Sequence, residues 1–163
     1  MHTRAAMAVV AVVIMGGPAH AQELQRLSLD DAAALRTVIA TDTQVKAEGA
    51  GSIKITTAWP TVVCLGETGA LDVENAQLIY AANVKSELEG SAFLEMWVYV
   101  GDGHYFSKGL NDMVMNTSDW KTIKTPFIFQ KGQKPSKVVL NLVVNGKGTV
   151  WVDDVVLSKE PLK

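Results

Sequence analysis

The sequence has 163 residues, 48% of them hydrophobic and 20% charged, which suits one ordinary globular domain. Its formal net charge of −2 argues against a nucleic-acid ligand, which calls for a basic patch or stripe. Cys64 is the only cysteine, so no disulfide can form within the chain, and in the apolar run Val62-Val63-Cys64-Leu65 it reads as a buried, inert thiol.

Residues 1–21 read as a signal peptide. Arg4 supplies a positive start, residues 5–17 are apolar, and Ala19-His20-Ala21 has the small-x-small pattern of a cleavage site. The apolar run is shorter than the roughly 20 residues of a membrane span, so the expectation is export to the periplasm or beyond, with no membrane span left after cleavage. The mature chain, 22–163, is long enough to bury a core without staples.

Ser28-Leu-Asp-Asp31 resembles a capping box, and residues 32–36 read either as one or two helical turns or as an irregular lead-in. Residues 38–45 form a weak strand candidate, and Gly49-Ala-Gly51 a turn. Residues 52–57 alternate as a half-buried strand does, until Trp59-Pro60 breaks the run. Residues 61–65 read as a short apolar strand, closed by Gly66 to Gly69. In 77–85, Leu78, Tyr80, Ala82 and Val84 share one face, with Gln77, Ile79, Asn83 and Lys85 on the other.

Residues 93–107 carry the clearest hairpin signal, two β-rich runs around Val100-Gly-Asp-Gly103. Leu94, Met96, Val98 and Val100 share one face of its first arm, and Phe93, Glu95, Trp97 and Tyr99 the other. Residues 108–117 read as a long loop, 120–129 as a strand with a bend at Thr125-Pro126, and 131–135 as a turn. Residues 138–144 follow, with Val138, Leu140, Leu142 and Val144 inward and Val139, Asn141 and Val143 outward. After a Gly-containing turn at 145–148, a β-prone closing strand carries Asp153 and Asp154. About eight short strands with a turn signal every ten residues or so, and little helix, predict one all-β domain, an antiparallel sandwich or a barrel.

Gly51-Ser-Ile-Lys-Ile55, Glu95-Met-Trp-Val-Tyr-Val100, Ser118-Asp-Trp120 and Gly148-Thr-Val-Trp-Val-Asp-Asp-Val-Val-Leu157 occur in that order. Together they resemble the galactose-binding-like β-jelly roll of carbohydrate-binding modules, over about residues 41–157. The resemblance implies a jelly roll and a carbohydrate or glycan ligand. In such modules an aspartate of the last strand often helps hold a structural calcium, which points to Asp153, with Asp42 or Glu48 as a second carboxylate and Asp154 as a substitute. Calcium takes six to eight oxygen ligands. The competing reading is that Asp153 and Asp154 only bind backbone amides of a turn.

The row Glu95, Trp97, Tyr99 is the first ligand candidate on chemical grounds. Sugars offer apolar C–H faces that stack on aromatic rings, and hydroxyls that need carboxylate, amide or ammonium partners. If neighbouring strands align, Asn141, Asn83 and Lys85 add such groups. The alternative is that Trp97 and Tyr99 pack under a loop.

Catalysis has little support. His104 is the only histidine past residue 21, which excludes a histidine metal cluster, and it follows a tight turn. Glu95 has no assignable carboxylate partner for glycoside cleavage, and no Gly-rich phosphate loop is present. The expectation is an exported, non-catalytic carbohydrate-binding domain; the alternative is an exported structural or protein-interaction module without a sugar site.

Overall fold

The computed structural model of the protein describes residues 35–162. The expected signal peptide and the capping box at Ser28 to Asp31 lie outside them. The described chain is built from seven antiparallel strands: β1 (Thr37–Asp42), β2 (Ser52–Thr57), β3 (Thr61–Thr68), β4 (Ala76–Val100), β5 (Gly103–Lys108), β6 (Val114–Phe129) and β7 (Lys137–Pro161). Among the described residues no helix is long and apolar enough to cross a membrane.

Two strands of 25 residues, β4 and β7, pair with each other from Ala76↔Pro161 to Tyr99↔Lys137. The shorter strands line their flanks. Near one end β2 pairs with residues 148–152 of β7, β1 pairs with β2, and β6 pairs with the first part of β4. Near the other end β3 pairs with residues 138–144 of β7, and β5 with residues 95–100 of β4. Hydrogen bonds therefore make one continuous sheet, which folds over on itself into the two layers of a sandwich. The first layer is β1, β2, the end of β7, the start of β4 and β6. The second is β3, the start of β7, the end of β4 and β5.

The fold-over lies where Gly90 of β4 faces Gly146 of β7. Both have positive φ, +138° and +156°, and a Cβ on either would run into the facing strand's backbone carbonyl. Only glycine permits this approach. Here the structure corrects the sequence reading. The glycines at 145–148 do not make a turn but a corner inside β7, and β4 likewise joins two expected strands into one. Seven strands thus stand in place of about eight.

The alternation read from the sequence holds along β4 and through Val152 of β7, beyond which a register shift brings Leu157 rather than Val156 against the core. Leu78, Tyr80, Ala82, Val84, Leu94, Met96 and Val98 of β4 point inward with Val138, Leu140, Leu142, Val144, Val150 and Val152 of β7, and all join one cluster with Ile55, Ile123 and Phe129. Each Val, Leu, Ile, Met or Phe among them contributes about 1.5–3 kcal/mol by leaving water. That both layers feed a single core is what makes the folded sheet a sandwich.

Two further expectations change. The loop expected at 108–117 is shorter, because β6 begins at Val114, which is buried and opposite Ala92. Polar residues 116–118 look like a loop in isolation, yet pairing with β4 draws them into the strand. Cys64 is exposed, not buried. Among the described residues β3 pairs with β7 alone, and its alternation packs Val63 and Leu65 against the core while Cys64 faces outward opposite Asn141.

Candidate functional site

Outward positions on the second layer converge on one cleft. Strand alternation puts Glu95, Trp97 and Tyr99 on the outer face of β4, and Asn141 and Val139 come from β7 directly opposite Glu95 and Trp97. The two-residue connection Gly101-Asp102 sets the register of β5, so Tyr99 opposes His104, Trp97 opposes Phe106 and Glu95 opposes Lys108. Trp97, Tyr99, His104, Val139 and Asn141 line an open cleft of ≈ 380 Å³.

Its aromatic side is continuous. The Trp97 ring lies 5.7 Å from His104 and 5.3 Å from Phe106 between centroids, and Tyr99 lies 5.9 Å from His104. Such tilted pairs at this separation are mutually stabilising. Trp97 and Tyr99 are half-buried and His104 is exposed, so the rings are braced by one another without being covered. The Lys137 ammonium sits 5.2 Å from the Tyr99 ring centroid and pairs with Glu67 at 3.2 Å.

Its polar side is organised around Glu95, which is only 6% exposed. One carboxylate oxygen, Oε1, accepts from the Trp97 indole Nε1–H at 2.7 Å and from the Asn141 amide Nδ2–H at 3.3 Å. The other, Oε2, pairs with the Lys108 ammonium at 3.2 Å. Burying a carboxylate is costly unless it is paired and hydrogen-bonded, and here all three partners are supplied by the sheet itself.

Of the six residues singled out as ligand contacts, the structure brings four together: Glu95, Trp97, Tyr99 and Asn141. Asn83 and Lys85 lie on the opposite outer face. They have the same outward parity along β4, but the corner at Gly90 turns that part of the strand into the first layer. There Asn83 accepts from the Thr122 hydroxyl at 2.6 Å and Lys85 pairs with Asp119 at 2.9 Å. The residues not singled out, His104, Phe106 and Val139, were signalled by the hairpin register and by the alternation of 138–144.

The first layer's acidic positions have a different character. Asp42 Oδ1 accepts from the N–H groups of Gln44 and Val45 at 2.9 and 3.0 Å, and Oδ2 from the Trp151 indole at 3.0 Å. The Val45 N–H, then the Trp151 and Gln44 donors, bring its carboxyl down to about 2. Asp153 Oδ2 accepts from the N–H groups of Ala47 and Glu48 at 2.9 and 3.0 Å, and Oδ1 from Asp154 at 2.9 Å. Burial works against its charge, but those three donors outweigh it and hold the carboxyl below the usual range. Glu48 thus reaches Asp153 through its backbone N–H, and its side chain is exposed. Among the described residues no three or more His, Cys, Asp or Glu gather to hold a metal ion. Segment 44–48 offers N–H donors to these carboxylates where calcium would need oxygen, so this arrangement does not fit a calcium cage.

No known protein family matches the chain, and no curated protein does. Solved structures do match. A family 16 carbohydrate-binding module superposes with a TM-score of 0.53 at 10% identity, covering 74% of this chain and 84% of that one. The CBM22-1 xylan-binding domain of a Paenibacillus barcinonensis protein gives 0.51 at 16% identity, covering 78% and 83%. The C-terminal family 22 module of a Clostridium thermocellum protein gives 0.51 at 8%, covering 75% and 81%. The fold is that of the carbohydrate-binding modules. At these identities the likeness is one of architecture.

Proposed function

We propose that the protein is an exported, non-catalytic carbohydrate-binding domain that takes a glycan on the outer face of its second layer. One observation carries the reading. The Trp97 ring stands half-open in a ≈ 380 Å³ cleft with Tyr99, His104 and Asn141 around it. An aromatic wall beside an amide suits a ligand with an apolar C–H face and peripheral hydroxyls. The carbohydrate-binding modules that share the fold support the same class of ligand. No carboxylate is among the lining residues, and Glu95 is committed to Trp97, Asn141 and Lys108, which supports binding without cleavage. Export rests on the signal-peptide pattern of residues 1–21.

A second reading, a protein-interaction module, is favoured by β1. Among the described residues that strand pairs with β2 alone, and Val38 and Ile39 are 60% and 53% exposed. An open, apolar strand edge is a template for pairing with another chain.

The test is a polysaccharide and glycan binding screen of residues 22–163 beside Trp97→Ala. The expected result is binding that Trp97→Ala abolishes. Silence across a broad panel would discard the glycan reading in favour of the protein partner.

A further inference from the structure

Glu95 is the most buried charged group of the second layer's outer face, and its contacts say which way it works. Its two oxygens are met by three partners, all from the protein: hydrogen bonds from Trp97 Nε1–H and Asn141 Nδ2–H, and an ion pair with Lys108. At 6% exposure it has almost no surface left to offer a ligand. We propose that Glu95 is a positioning residue of the cleft, which fixes the Trp97 ring and the Asn141 amide and does not touch the ligand.

Two consequences follow for what the site recognises, and both rest on the glycan reading above. Because Glu95 takes the indole N–H, Trp97 presents the cleft with a ring face and no donor. Because Glu95 takes one Asn141 Nδ2–H, the amide keeps its Oδ1 to accept and its second N–H to donate. The cleft therefore selects ligands whose hydroxyls lie at the edge of an apolar face stacked on Trp97. A hydrogen bond to a charged acceptor is roughly twice as strong as a neutral one, so the clamp adds to the packing of Phe106 and His104 in fixing the ring. Lys108 pairs with the other oxygen of Glu95 at 3.2 Å, and its ammonium lies 5.2 Å from the Phe106 ring centroid.

The decisive measurement needs no ligand. The Trp97 indole N–H resonance, assigned by its loss in Trp97→Phe, is followed in the free protein and in Glu95→Gln and Glu95→Leu. The Leu variant is expected to move this signal upfield and speed its exchange with water. The Gln variant, which keeps an acceptor but loses the charge, is expected to fall between. The indoles of Trp59, Trp120 and Trp151 serve as internal controls and stay in place. If Glu95→Leu does not fold, the intermediate shift in Glu95→Gln decides. A Trp97 signal that is unmoved in the Gln variant would overturn the clamp, whether or not any glycan binds. With a glycan that binds the wild type, Glu95→Gln is expected to stay within about threefold and Glu95→Leu to lose tenfold or more. Equal, large losses in both would make Glu95 a direct contact and overturn the proposal.

Discussion

Two tryptophan–carboxylate pairs sit on opposite outer faces of the sandwich, alike in chemistry and unlike in role. Trp97 donates its indole N–H to Glu95 at 2.7 Å on the second layer, and Trp151 donates to Asp42 at 3.0 Å on the first. Trp151 is only 5% exposed, with the Lys54 ammonium 5.5 Å from its ring centroid. Asp42 also gathers the N–H groups of Gln44 and Val45, so the pair ties the segment after β1 to β7. Trp97 has neighbours beside it, His104 and Phe106, and keeps an open face. One pair is a staple and the other a platform. What decides between them is not the hydrogen bond but whether the rest of the chain closes over the ring.

The widest separation is expected from removing each ring. Trp151→Ala should destabilise by about 3–5 kcal/mol, the usual cost of deleting a buried aromatic. Trp97→Ala should cost about 1 kcal/mol, a typical value for a substitution outside the core, while abolishing glycan binding. Urea denaturation of the two variants reads the difference. Equal losses would make Trp97 a packing residue, and the platform would not exist.

A smaller effect distinguishes the acids. Asp42 has a carboxyl of about 2 in the folded chain against 3.8 ordinarily, so its stabilising contribution is complete above pH 3.8 and is lost as pH falls through about 2. In Asp42→Asn that contribution is missing throughout. The stability gap between wild type and variant should therefore be widest at neutral pH and narrow steadily between pH 4 and 2. A gap that is constant with pH would mean that the charge of Asp42 does not matter to the staple.

The inward and outward rows of β4 and β7 were legible because period-two alternation survives the corner. Leu94, Met96 and Val98 had to face away from Glu95, Trp97 and Tyr99. The corner itself was not legible. Gly90 and Gly146 are the residue type that also makes turns, and only the pairing of two long strands shows that the chain continues. For that reason Asn83 and Lys85 share parity with Glu95 yet lie on the other face. His104 and Phe106 were within reach, since a two-residue connection fixes which residues oppose Tyr99 and Trp97. Cys64 was misread because an edge strand can carry an apolar residue on its open side. Two of the three donors around Asp153 come from residues 106 and 105 positions earlier, a separation at which local pattern is silent.

The smallest expected effect is that of chelation, and it bears on the same staple. Asp42 and Asp153 each already receive three N–H donors, and the backbone of residues 44–48 is turned so that N–H groups, not carbonyls, point at them. A cation placed there would meet the positive ends of those dipoles. The melting midpoint is therefore expected to be the same in EDTA and in excess calcium. A ligand at 100 times its dissociation constant stabilises by about 2.7 kcal/mol, a shift too large to miss in a domain of this size. If calcium raised the midpoint by that much, the segment after β1 would have to turn its carbonyls inward and Asp42 would have to release Trp151 or a backbone donor. The first-layer pair would then be a cation site, and its likeness to Trp97 and Glu95 would be a coincidence of spacing.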